Sequence, residues 1–240
     1  MLKAVFFDAA GTLFEAREPV GRSYARIARA HGLDAPEAAV IAGFRRAFAA
    51  APVIAFGPGH PADELRRLER GWWRAVVEDS FAGLGEFADF GRFFDALFAY
   101  FAAPANWQAD PDAIATLTGL RQSGLKLGVI SNFDYRLYRL LEGLGFSGLF
   151  ESVTISSEAG YAKPRREIFD AALASHGIAA ADAMHVGDSL HHDFEPARAL
   201  GWFAVLIDPA LPSSVLGSAR EARINSLAYL NTVTQRLKVA

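Results

Sequence analysis

Four short stretches of this chain place residues suited to phosphoryl transfer directly after apolar runs or in the loops that follow them. Asp8 and Thr12 stand in Asp8-Ala9-Ala10-Gly11-Thr12, Ser131-Asn132 follows Val129-Ile130, Lys163 precedes Pro164, and Gly187-Asp188-Ser189 is followed by Asp193. Phosphoryl transfer asks for little covalent chemistry and much charge neutralisation, because negative charge spreads over the equatorial oxygens of the moving group. These residues meet that demand. Asp8 can attack phosphorus and carry an aspartyl-phosphate, while Asp8 and Asp188 together can hold a magnesium ion that keeps several waters. Lys163 offers a point charge to phosphate oxygens, Ser131 and the amide of Asn132 offer hydrogen bonds, and Thr12 adds a hydroxyl. Asp193 is expected to orient the metal site or Lys163. Each residue alone has an ordinary explanation as a turn aspartate or a solvated lysine; their joint placement carries the reading.

These groups can meet only if the runs that precede them are neighbouring strands. Residues 4–7, 125–130, 153–155, 184–186 and 203–207 are short apolar runs that end abruptly, the pattern of buried parallel strands. Residues 111–123, 135–144, 167–176 and 194–200 have helical period and length and lie between them. The expectation is an α/β fold, a doubly wound, Rossmann-like parallel sheet with right-handed crossovers, whose ligands gather at the carboxyl ends of the strands.

More than a hundred residues separate the first run from the second, far more than a crossover requires, so an insertion is expected. Residues 15–106 read as a helical cap, with breaks at Pro52, at Gly57-Pro58-Gly59-His60-Pro61 and at Gly83-Leu84-Gly85; residues 1–14 and 107–240 form the core domain. Gly57-Pro58-Gly59 has no strand before it and lacks a third glycine, so it reads as a loop and not as a nucleotide cradle.

Composition narrows the partners. With 24 basic and 27 acidic residues among 240, the net charge is -3 and no basic stripe is present, which argues against nucleic acid. The chain has no cysteine, which removes disulfides, thiolate metal sites and cysteine nucleophiles and fits a reducing, cytoplasmic setting. Residues 90–103 carry Arg92 and Asp95 and fall short of the roughly 20 apolar residues of a membrane span. Only four apolar residues, Ala4 to Phe7, run unbroken before Asp8, too few for a signal peptide. A soluble monomer or homodimer acting on a small phosphorylated molecule is expected, with no membrane partner.

Several other residues invite roles. His191 and His192 stand beside Asp188 and are expected to begin a helix. His31 and His60 lie in the insertion, and His60 is the better candidate proton donor because its Gly/Pro loop can reach a cleft, although a surface loop is the preferred reading. Trp72 and Trp73 are expected in the core of the cap or at its contact with the sheet, and the Phe-rich residues 87–101 inside the cap or at a subunit interface.

In this order, Asp-x-x-Gly-Thr-Leu after an apolar strand, Val-Ile-Ser-Asn, Lys-Pro and Val-Gly-Asp-Ser-x-x-x-Asp resemble the four motifs of the haloacid dehalogenase superfamily. The resemblance implies a hydrolase with a C1-type cap, and Arg70-Gly71-Trp72-Trp73-Arg74-Ala75-Val76-Val77 resembles its rhythmically expressed gene product-like branch. One departure is plain. The superfamily's phosphatases place a second aspartate two residues after the nucleophile as general acid and base, where this chain has Ala10. The resemblance also implies a magnesium ligand in the backbone carbonyl at that position, which Ala10 retains, but Ala10 cannot move a proton. General acid-base help is commonly worth ~10²- to 10⁴-fold, so a slow enzyme or a substitute proton donor follows.

Three rival readings arise from the same resemblance. A 2-haloacid dehalogenase also lacks the second acid but loses the Gly-Asp pattern kept here as Gly187-Asp188. Phosphonoacetaldehyde hydrolase needs a cap lysine, and the lysines are Lys3, Lys126, Lys163 and Lys238, none of them in residues 15–106. A binding protein without turnover has only Ala10 in its favour.

Overall fold

A computed structural model describes residues 1–212, 215–216 and 220–239. β1, Ala4–Phe7, is apolar and buried at every position, as a strand covered on both faces must be. The chain turns into β2, Phe14–Ala16, and then leaves the sheet through α1, Val20–Ala30, α2, Glu37–Ala50, α3, Ala62–Ser80, and α4, Phe90–Ala102. It returns as β3, Trp107–Ala109, antiparallel to β2. The helical insertion therefore departs from and rejoins a two-stranded ribbon, where the sequence had suggested a purely helical cap over residues 15–106. Strands of three residues are too short to display an alternating pattern.

The expected alternation then resumes: α5 Ala113–Gln122, β4 Lys126–Ser131, α6 Arg136–Gly143, β5 Ser152–Ile155, a short α7 Ser156–Ala159 and α8 Arg166–His176. After these come β6 Ala183–Gly187, α9 Glu195–Ala199 and β7 Phe203–Ile207. β8 Val215–Leu216, β9 Glu221–Ile224 and α10 Leu230–Val239 complete the described chain and extend it past the last strand visible in the sequence. The sheet runs β5-β4-β1-β6-β7-β9-β8, parallel except for β8.

Register explains the site. Phe7 lies opposite Val129 on one side and Val186 on the other, so the three strands end nearly level, with Ser131 the last residue of β4 and Asp8 and Asp188 just beyond β1 and β6. Alternate residues feed different cores: Val5 and Phe7 join Leu127 and Val129 on one face, while Ala4 and Phe6 join Ile130, Phe169 and Trp202 on the other. The insertion has its own core of Tyr24, Phe81, Phe93, Phe94, Leu97 and Phe98, so the Phe-rich stretch packs internally. Among the described residues, no helix is long and apolar enough to cross a membrane.

Candidate active site

Lys163 is the hub of the strand-end cluster. Its ammonium donates to Asp8 Oδ1 at 2.7 Å and to Asp193 Oδ1 at 2.6 Å, and all three side chains are buried. Asn132 holds this lysine by its backbone, accepting from Lys163 N–H at 2.8 Å and donating to the Lys163 carbonyl at 2.9 Å. The Asn132 side chain is thus committed to positioning Lys163. Thr12 Oγ1 donates to Asp188 Oδ1 at 3.5 Å and does not line the cleft, whereas Ser131 does.

Two glycines make the cluster possible. A Cβ on Gly11 would lie 2.5 Å from Asp188 Oδ2, and Gly11 has φ of +93°. A Cβ on Gly187 would lie 2.3 Å from Asp193 Cγ. Both carboxylates therefore sit where only glycine leaves room.

Burial pushes the Asp8 carboxyl up, against the pull of Lys163. Burial also opposes charge on Lys163, but Asp8 and Asp193 outweigh it and hold the ammonium above its ordinary pKa. Asp193 would likewise be raised by burial, yet Lys163 and His185 hold it well below the carboxylate range. Desolvation, with Asp8 and Asp193 adding to it, raises Asp188 to about 6 even though its side chain opens on the cleft. The asymmetry has a simple source. Two carboxylates share one ammonium, and Asp193 has further donors in His185 Nε2 at 2.9 Å and the Ser189 N–H at 3.1 Å.

Ligand atoms of Asp8, Asp188 and Asp193 lie within 4.8 Å of one another. Three carboxylates against one ammonium leave a formal charge of -2, and the donors are all hard oxygens, which suits a divalent cation of the magnesium type. Because Asp193 is occupied by Lys163, His185 and Ser189, Asp8 and Asp188 are the carboxylates best placed to face such a cation.

The cleft above this cluster has a volume of about 500 Å³. Its floor includes Ala10 and its far wall comes from the insertion. Trp73 does make the expected contact with the sheet domain: its indole donates to Asp134 Oδ2 at 2.6 Å. Asp134 is fully buried and also binds the Arg136 guanidinium. For His60 the geometry fits the preferred loop reading, and the histidine at the cleft is a different one. His60 Nε2 sits 2.8 Å from the Phe56 carbonyl and His60 is not in the cleft lining, whereas His192 lines it. His191 and His192 do lie in a helical turn, Leu190–Phe194. Asp134, Arg136 and His185 were missed in the sequence because each acts through partners that no local pattern reveals.

The model of the haloacid dehalogenase-like hydrolase family matches residues 2–201. The chain belongs to that family. A curated relative from Bos taurus, haloacid dehalogenase-like hydrolase domain-containing protein 3, is 36% identical over 95% of this chain and 92% of its own. Glyceraldehyde 3-phosphate phosphatase of Methanocaldococcus jannaschii is 38% identical over 53% of this chain and 57% of its own. The structure of L-2-haloacid dehalogenase from Xanthobacter autotrophicus with chloropropionic acid covalently bound shares the fold, with a TM-score of 0.71 at 18% identity over 98% of this chain and 99% of that one. Within this haloacid dehalogenase-like hydrolase, the four strand-end stretches that carried the resemblance converge on one site.

Proposed function

We propose that the chain is a magnesium-dependent phosphohydrolase of small phosphorylated metabolites, working through an aspartyl-phosphate on Asp8 in a cleft capped by the helical insertion. The observation that carries this reading is the cluster of charge -2 formed by Asp8, Asp188, Asp193 and Lys163 at one sheet edge. A carboxylate oxygen of Asp8 attacks phosphorus while the bond to the ester oxygen breaks and that oxygen leaves with the electron pair. Lys163 and Ser131 balance charge on the phosphoryl oxygens as it moves. Water then attacks the phosphorus of the acyl phosphate, releasing inorganic phosphate and restoring the Asp8 carboxylate. Asp193 holds Lys163 in place, and Asn132 fixes its backbone. Magnesium, held by Asp8, Asp188 and the Ala10 carbonyl, would lessen the repulsion between the nucleophile and a phosphate dianion.

The phosphatase relative supports ester chemistry on phosphorus, and Asp188 weighs against the dehalogenase alternative, since attack on carbon beside a carboxylate has no use for such a metal ligand. Phosphate release from p-nitrophenyl phosphate with magnesium, abolished by chelation and by Asp8→Asn, is the expected result. Halide release from 2-chloropropionate that ignores chelator would replace the reading with a dehalogenase. Full turnover by Asp8→Asn would remove Asp8 as nucleophile.

A further inference from the structure

We infer that the insertion wall of the cleft selects phosphate monoesters whose organic part is apolar and carries no hydroxyl or second anionic group; this rests on the phosphohydrolase reading above. The two walls of the cleft differ in kind. Every ionisable side chain lining it belongs to the sheet domain, whereas the insertion contributes Phe48, Pro52, Val53, Ile54, Trp72 and Trp73, with two alanines. Among the described residues, the only side-chain hydrogen-bond donors on that wall are the two indoles, and both are spent. Trp72 Nε1 donates to the Pro52 carbonyl at 2.8 Å, and Trp73 Nε1 donates to Asp134 at 2.6 Å. A hydroxylated or doubly anionic substrate would leave its polar groups without side-chain partners on that side, at the cost of their desolvation.

The wall is also held in place and kept open to the cleft. Ser156 Oγ donates to the Ile54 carbonyl at 2.7 Å, and the Gly57 N–H reaches the Gly160 carbonyl at 3.3 Å, which pins the segment after α2 to the sheet domain. Gly160 permits that approach, since a Cβ there would lie 2.3 Å from Gly57 C. Phe48 and Val53 stay 48% and 54% exposed, and both face the cleft. The rings of Phe48, Trp72 and Trp73 form one cluster, with centroids 4.8 to 6.1 Å apart. Behind them a cavity of about 80 Å³ shares Trp73 and Phe133 with the cleft and is lined by aromatic and aliphatic side chains, with Arg136, already paired to Asp134 and stacked on Trp73, as its one charged group.

The test is kcat/KM, with magnesium, for methyl, ethyl, propyl and butyl phosphate and for glycerol 3-phosphate. Leaving-group acidity hardly changes along the alkyl series, and glycerol is the more acidic alcohol, so reactivity alone favours glycerol 3-phosphate. Burial on the wall should raise kcat/KM by up to about fourfold per methylene and place butyl phosphate above glycerol 3-phosphate. Phe48→Ser and Val53→Ser should each flatten the series. A flat series, a preference for glycerol 3-phosphate, or an unchanged slope in both variants would overturn the inference. Calorimetric binding of methyl- and butylphosphonate is measured in parallel. If no ester released phosphate yet butylphosphonate bound more tightly, the phosphohydrolase reading would fall and the apolar wall would stand; equal binding would sink the wall.

Discussion

The Lys163 ammonium lies 2.7 Å from the Asp8 carboxylate, joining two buried residues that are 155 positions apart in the chain. In the proposed mechanism the pair gives the nucleophile and its phosphate clamp one shared position. It also makes the site a structural element, because Lys163 is the only cation in contact with both Asp8 and Asp193 among the described residues.

Lys163→Met should therefore cost stability as well as activity. The variant leaves Asp8 and Asp193 buried without their cation, and breaking a buried pair commonly costs about 3–5 kcal/mol. Denaturant unfolding checks this, and part of the loss should return if Asp8→Asn is added, since one surplus charge is then gone. Additive losses in the double variant would show that the two residues are not coupled.

Magnesium should stabilise the native chain and should do so less as pH falls. A ligand present at 100 times its Kd contributes about 2.7 kcal/mol, roughly a 5–10 °C rise in Tm for a domain of this size. The Asp188 carboxyl is raised to about 6 in the metal-free protein, so it is protonated below that pH and must lose the proton to bind. Apparent affinity should hold above pH 7 and fall by about tenfold per unit below pH 6. Asp188→Ala should erase the rise in Tm; a rise that persisted would place the ion elsewhere.

Gly11→Ala tests the close approach at the first turn. The new methyl would meet Asp188 Oδ2 at 2.5 Å, and alanine is strained at φ of +93°. The Asp188 side chain can swing aside, so the fold should survive with a loss of about 1–3 kcal/mol from the strained backbone. The displaced carboxylate should weaken magnesium binding. Thermal shifts with and without the ion separate the two effects, and an unaltered magnesium response would mean that Asp188 is not a ligand.

What the sequence shows follows from what is local. The runs at 4–7 and 203–207 match their strands residue for residue, because a buried parallel strand is continuously apolar and ends where its ligand-facing loop begins. Asp8 and Asp188 were legible for the same reason, as polar residues at the ends of such runs, and Lys163 as the cation in the loop that follows β5 and α7. The ribbon of β2 and β3 was not, since each strand makes sense only beside a partner more than 90 residues away. His60 and His192 show the same limit. Nearness to glycine and proline suggested that the His60 loop could reach the cleft, but the segment leading into it is tied to Gly160, and the imidazole turns to Phe56. His192 reaches the cleft because the turn after β6 carries it there.

The last prediction concerns Ala10, which lines the cleft at the position where the motif resemblance implies an acid. Without a carboxyl there, the leaving oxygen must depart as an anion or take its proton from water, so rates should depend steeply on leaving-group pKa. His192 is the imidazole nearest in role: it lines the cleft, with Nδ1 3.2 Å from Ser189 Oγ. Partial burial and His191 lower its pKa, which leaves it neutral at pH 7 and a poor acid above its own titration. Ala10→Asp should therefore flatten the leaving-group dependence and speed alkyl phosphates most, by up to ~10²-fold. Aryl phosphates, whose alcohols leave without help, should change little. The comparison is a plot of log kcat/KM against leaving-group pKa for the native chain, Ala10→Asp and His192→Ala. A native slope that is already shallow and steepens in His192→Ala would give the proton to His192. A shallow slope unchanged by that variant would require a donor from the substrate or from water held in the cleft.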